Sequence, residues 1–134
     1  MKNIAVIGGG AAGFFAAISV KTHYSNYNVV VFEKSSKFLS KVKISGGGRC
    51  NVTNSTNDVR ILCDAYPRGG KKLKNIFHQF GTQDTRDWFE KRGVLLKVEP
   101  DGRVFPVSNN SQSVIDCLVN EFEIHNILIK FLKS

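Results

Sequence analysis

Short β-branched runs alternate with longer stretches of helical period along this chain, and their order predicts a mixed α/β fold. Ile4 to Ile7 is an apolar run of strand length. It leads directly into Gly8-Gly9-Gly10-Ala11-Ala12-Gly13 and then into the helix-prone Phe14 to Val20. Ser25-Asn26 marks a turn and Asn28 to Phe32 reads as a second, buried strand, which closes a βαβ unit through a right-handed crossover. Asp58 to Ala65 reads as a short helix stopped by Pro67. Lys71 to Phe80 reads as another, with Leu73, Ile76, Phe77 and Phe80 at helical spacing and assigned to the core. Thr82 is the expected N-cap of a helix from Asp84 to Arg92, whose early acids and late bases suit the helix dipole and which Gly93 ends. Trp88 and Phe89 are expected to pack inward. Val94 to Val98 and Arg103 to Val107 flank the turn tripeptide Pro100-Asp101-Gly102 and predict a hairpin. Gln112 to Phe122 follows as an amphipathic helix, and Ile127 to Leu132 as a third parallel strand beside the first two.

Composition narrows the class. With 134 residues, 42% hydrophobic and 22% charged positions and only 3 Pro, the chain has the make-up of one folded domain, which excludes disordered, collagenous and low-complexity classes. Cys50, Cys63 and Cys117 contain no CxxC pair, so they fit neither a disulfide framework nor a zinc site, and a reducing cytoplasmic location is expected. His23, His78 and His125 have no neighbour in sequence that suggests a metal or a catalytic triad, and no metal is assigned. The uncharged stretch from Asn3 to Val20 carries four glycines within six positions, which argues against a membrane span or a signal peptide.

Charge is distributed unevenly. Residues 34–74 hold ten Lys or Arg and two acids, whereas the rest of the chain has nine of each, so the whole formal +8 lies in that block. It could face an anionic ligand, a nucleic acid or water.

The first glycine-rich turn has the G-x-G-x-x-G pattern at Gly8, Gly10 and Gly13, between a strand and a helix. In such a turn Gly8 permits the sharp bend, Gly10 admits a pyrophosphate against bare backbone and Gly13 lets helix and strand pack closely. Glu33 ends the second strand 20 residues past Gly13, the spacing at which a carboxylate accepts hydrogen bonds from ribose hydroxyls. Its charge disfavours a 2′-phosphate, and so NADP, at this subsite. These residues predict a dinucleotide and leave FAD and NAD as alternatives.

A second glycine-rich segment, Lys43-Ile44-Ser45-Gly46-Gly47-Gly48-Arg49-Cys50-Asn51-Val52-Thr53-Asn54, reads as a loop whose backbone N–H groups can approach a ligand. Arg49 and Lys43 would supply charge, and Cys50 beside Arg49 is a candidate for a lowered thiol pKa. With SGGGRCNVTN at Ser45 to Asn54, YPRG at Tyr66 to Gly69 and DGRVFPVS at Asp101 to Ser108, the chain resembles the bacterial BaiN/RdsA-type, aminoacetone-oxidase-like NAD(P)/FAD-dependent oxidoreductase flavoproteins. The resemblance runs from Met1 to about Phe122. It implies that the first loop holds the FAD pyrophosphate, that the acid at Glu33 binds ribose and that the second segment lies near the flavin. The implied FAD contacts are Gly8, Gly9, Gly10, Ala11, Ala12, Gly13, Glu33, Lys34, Lys43, Ser45, Gly46, Gly47, Gly48, Arg49, Cys50 and Asn51.

The fold expected is therefore α/β: a Rossmann-like FAD/NAD(P)-binding βαβ unit with a three-stranded parallel sheet, plus inserted helices and a β-hairpin. Residues 1–33 form the dinucleotide unit, 34–110 the helical and hairpin insertion, and 111–134 a helix and the third strand. Members of the family are much longer, so this chain reads as the N-terminal, FAD-binding portion of an oxidoreductase, truncated and inactive by itself. In the full-length protein, hydride or electrons would pass to or from a small organic substrate, with NAD(P)H as reductant. The turn at Phe122 to Asn126 lacks the glycine expected between that helix and strand. An open sheet edge at the first or third strand predicts self-association. Two readings from other classes remain open: a basic module that docks on nucleic acid or another polyanion, and an NAD-binding dehydrogenase half. The second leaves SGGGRCNVTN unexplained, and the first lacks stacked-aromatic and helix-turn-helix signatures.

Overall fold

The computed structural model describes residues 1–133; Ser134, the last residue of the expected third segment, lies outside them. Strand β1 (Asn3–Ile7), helix α1 (Ala11–His23) and strand β2 (Asn28–Glu33) form the βαβ unit. Strand β6 (Leu128–Phe131) pairs with β2, giving a parallel sheet of order β1-β2-β6. Val6 lies opposite Val31, and Val31 opposite Ile129, so these three share the face that packs on α1.

Helix α6 (Gln112–His125) covers the same face as α1. Phe14 and Phe122 stack at 4.0 Å between ring centroids where the two helices meet, and Ala17, Ile18 and Leu118 fill the space around them. The opposite sheet face is open, with Ile7 81% and Leu128 60% exposed. The strands therefore bury one side only, whereas β2 read as a fully buried strand in sequence. A β-branched run cannot report how many layers cover it.

Asn126 ends α6 in the left-handed conformation at φ 56°. It supplies the turn for which a glycine was expected, because a short polar side chain tolerates that region better than most.

Between β2 and α6 the chain forms helix α2 (Ser40–Gly48), a two-residue strand β3 (Thr53–Asn54), helices α3 (Val59–Asp64), α4 (Gly70–Gln79) and α5 (Thr82–Glu90), and strands β4 (Leu96–Val98) and β5 (Arg103–Pro106). The expected hairpin is present, but β3 joins it to make an antiparallel sheet of order β3-β5-β4. Two residues carry too little pattern to announce a strand.

Three further expectations are corrected. The start of the second glycine-rich segment is helical rather than loop, with α2 running on from its N-cap Leu39, and the backbone leaves helical angles at Ser45 and takes positive φ at Gly46, Gly47 and Gly48. Gly81, not Thr82, is the N-cap of α5. The Asp84 carboxylate accepts the Gly81 N–H at 2.7 Å, while the buried Thr82 hydroxyl turns back to donate to the Thr56 carbonyl at 2.7 Å. The apolar stripe of α4 is not core: Ile76 is 56% and Phe80 37% exposed, because α4 packs chiefly on the shorter α3 and touches the body at its end, where Phe80 lies 5.3 Å from Phe15.

Candidate functional site

The first glycine-rich turn sits between the C-terminal end of β1 and the N-terminus of α1, the position where open α/β sheets take up ligands. Gly8 has φ 105° and donates its N–H to the Phe32 carbonyl at 2.8 Å, which ties the turn to β2. A Cβ at Gly13 would lie 1.8 Å from the Gly8 carbonyl oxygen, so only glycine allows α1 to start this close to β1. Gly10 caps α1 with no side-chain hydrogen bond, and a Cβ there meets nothing within 4 Å. The first N–H groups of α1 thus face open space, with the positive end of the helix dipole behind them.

Glu33 lies beside this turn. One carboxylate oxygen accepts the Gly9 N–H at 2.9 Å and the other the Ser35 N–H at 2.7 Å. These hydrogen bonds, Ser35 first and then Gly9, hold the carboxyl below the usual carboxylate range, so it stays ionised and its remaining lone pairs are free to accept. The Leu39 N–H, donating to the Gly9 carbonyl at 2.8 Å, fixes the outer side of the turn.

The second glycine-rich segment is brought against the first. A cleft of about 370 Å³ is lined by Ala11 and Phe15 of α1 and by Lys41, Ser45, Cys50 and Asn51. Its shape depends on reversed backbone: Gly46, Gly47 and Gly48 have φ of 58°, 69° and 89°, and Cys50 has φ 62°. The Cys50 N–H donates to the Ser45 carbonyl at 3.0 Å and closes this bend. Ser111, at the start of α6, anchors it from outside, its N–H donating to the Gly48 carbonyl and its hydroxyl to the Lys43 carbonyl, both at 2.8 Å. With its amide turned to satisfy both neighbours, Asn51 donates to the carbonyls of Thr53 and Val104 at 2.9 and 3.2 Å.

Not every predicted residue converges on the cleft. Lys43 lines a separate depression with Phe38 and Gln112, and Lys34 is exposed beyond Glu33. Arg49 forms an ion pair with Glu99 at 2.8 Å and lies 3.8 Å above the Phe105 ring, so it clamps the segment to the antiparallel sheet. Cys50 is not an activated thiol: burial pushes its pKa up, only partly offset by the Ser45 hydroxyl. Sequence reasoning did not single out Ser35, Leu39, Glu99 or Ser111. Ser35 stands two residues past the acid and was within reach of a turn argument, whereas nothing local links Ser111 to a loop 63 residues earlier.

Among the described residues no cluster of side chains could hold a metal ion, and no helix is long and apolar enough to cross a membrane. The donors present fit a dinucleotide: bare backbone N–H groups for a pyrophosphate and an ionised acceptor for ribose.

Known proteins share this architecture. The fold matches a crystal structure of Thermovibrio ammonificans THI4 with a TM-score of 0.61 at 11% identity, over 97% of this chain and 38% of that one. The sequence is 30% identical over 129 residues to a 3-dehydro-bile acid delta(4,6)-reductase of Clostridium scindens, covering 96% of this chain. It is also 30% identical over 125 residues to a ribosomal RNA dihydrouridine synthase of Escherichia coli, covering 93%. The chain spans 31% and 30% of the length of these two relatives. Residues 2–134 match the HI0933-like protein Rossmann domain, and the chain belongs to that family.

Proposed function

We propose that this chain is the FAD-binding unit of a flavin-dependent oxidoreductase. The observation that carries this reading is Glu33, whose carboxylate is held by the Gly9 and Ser35 N–H groups beside the open N-terminus of α1. That arrangement presents a ribose acceptor and a pyrophosphate cradle in one rigid turn. Gly10 and the N–H groups of Ala11 and Ala12 would hold the pyrophosphate, and Glu33 the adenosine ribose. The second segment, sharing a cleft with Ala11, favours a flavin dinucleotide over NAD, because a nicotinamide site gives SGGGRCN no task.

When bound, FAD would supply hydride or electron transfer. Residues of this chain bind and orient it: α1 and Glu33 fix the adenosine end, and the bend from Ser45 to Asn51 forms a wall rigidified by Ser111 and by the Arg49–Glu99 pair. The two relatives are named for a reductase of a Δ4,6 bile acid and for a synthase of dihydrouridine. Both names describe addition of hydrogen across a carbon–carbon double bond. We extend this chemistry to the whole protein, with an electron-poor double bond in an organic substrate as acceptor and NAD(P)H as reductant.

Titration calorimetry with FAD and with ADP-ribose tests the reading. Binding of both ligands, lost in Gly10→Val and weakened about tenfold in Glu33→Ala through the loss of a ribose acceptor, is the expected result. Equal affinity in all three proteins, or binding of NAD with none of FAD, overturns it.

A further inference from the structure

We propose that the α3–α4 hairpin is an arm that docks single-stranded loops of folded RNA. This inference goes beyond the cofactor reading, because residues 58–80 take no part in the dinucleotide site.

The arm stands away from the body. Thr82 joins its two ends, donating to the Thr56 carbonyl at 2.7 Å and to the Asn57 side-chain oxygen at 3.2 Å, immediately after the second glycine-rich segment. Its two helices close tightly, since a Cβ on Gly70 would lie 2.5 Å from the Cys63 carbonyl oxygen. The cleft between them measures about 910 Å³ and is lined by Arg60, Lys71, Lys72 and Lys74 together with Ile61 and Tyr66.

The charge here is not spent on the protein's own acids. Among the described residues Arg68, Lys71, Lys72 and Lys74 form no ion pair. Asp58 is engaged as the cap of α3, accepting the Arg60 and Ile61 N–H groups, with the Arg60 guanidinium 3.8 Å away. Asp64 is the single acid among the described residues lining the cleft. A dense, unpaired cationic surface is the footprint of a phosphate backbone.

Tyr66 decides among polyanions. Tyr66 is 44% exposed, lines the cleft together with the cations and lies tilted against Phe77 with ring centroids 5.6 Å apart, so a partly exposed aromatic face stands among cations. Bases stack on such a face when they are unpaired, and each contributes sequence-tolerant affinity. Folded RNA offers unpaired loops beside a phosphate backbone; duplex DNA does not, and a lipid headgroup has no ring to stack.

The test uses the whole chain and fluorescence anisotropy with a labelled RNA stem-loop of about 20 nucleotides over a salt series. Four cations on phosphates predict a log–log salt slope of about −3. Lys71→Gln, Lys72→Gln and Lys74→Gln combined should bring the slope to about −1, and Tyr66→Ala should weaken binding about five- to a hundredfold with the slope unchanged. Far-ultraviolet circular dichroism and ADP-ribose titration confirm that each variant folds and that a loss belongs to the arm alone. If the triple variant unfolds, Lys72→Gln alone should shift the slope by about 0.7. The proposal is overturned by a wild-type slope shallower than about −1, by a triple variant with the wild-type slope, or by a Tyr66→Ala protein that binds as tightly as wild type. Tighter binding to a DNA duplex, or to phosphatidylcholine–phosphatidylserine vesicles, than to the stem-loop overturns it as well.

Discussion

Gly13 and Gly10 stand three residues apart in one motif, and the proposed site gives them separable tasks that substitution can pull apart. A Cβ on Gly13 would lie 1.8 Å from the Gly8 oxygen, 3.0 Å from the Gly8 carbon and 3.5 Å from a Val6 methyl. Ordinary contact near 3.5 Å requires α1 to move outward by roughly 1.5 to 2 Å. The obstacle is backbone, and Gly8 is tied to Phe32 at 2.8 Å, so no rotamer change relieves the clash. Overpacking of this kind costs about 1–3 kcal/mol, and the helix-propensity gain of alanine over glycine, at most about 1 kcal/mol, offsets part of it. For a domain of this size a net loss of about 1–2 kcal/mol lowers Tm by roughly 4–8 °C.

Gly10→Ala meets no atom and should stay within about 1 kcal/mol of wild type. Gly10→Val should likewise keep the fold but block the pyrophosphate. Thermal unfolding paired with ADP-ribose calorimetry reads both axes: Gly13→Ala loses stability and ligand together, Gly10→Val loses ligand alone. A Gly13→Ala protein that melts and binds like wild type would refute the close-approach argument.

Thiol chemistry gives a second test. Burial, reinforced by the Glu121 charge, pushes the Cys117 thiol up to about 11, and burial also raises Cys50, so Cys63 should be the fastest of the three to react with Ellman's reagent at pH 8, the others following only on unfolding. Because the folded pKa of Cys117 lies above its unfolded value near 9, its contribution to stability is complete below pH 9 and is lost as pH rises towards 11. Urea midpoints that hold steady across that window would contradict it. Thr82→Val removes the hydroxyl that closes the arm and leaves the Thr56 carbonyl without its donor, at a cost of about 1–3 kcal/mol in urea unfolding. Strands β1 and β6 are sheet edges, and Phe131 and Leu132 are 43% and 68% exposed near the second, so we expect concentration-dependent association. A strict monomer by light scattering at high concentration would count against it.

Much of this was readable from sequence because it is local. The strand, glycine turn, helix and second strand are each set by neighbours within a few positions, and Gly8, Gly13 and Glu33 stand at spacings that only the backbone geometry of such a turn explains. The third parallel strand was legible for the same reason, as one apolar run with a turn before it. What sequence could not decide rests on contacts between distant residues. The apolar stripe of α4 has the period of a core helix, yet only the tertiary arrangement shows that little but α3 lies against it. Arg49 reads as a free cation until Glu99, 50 residues on, is placed 2.8 Å from it, and Thr82 reads as a cap until Thr56 is folded against its hydroxyl. Periodicity records which side of an element is apolar, and long-range packing alone determines what that side, or a charge beside it, meets.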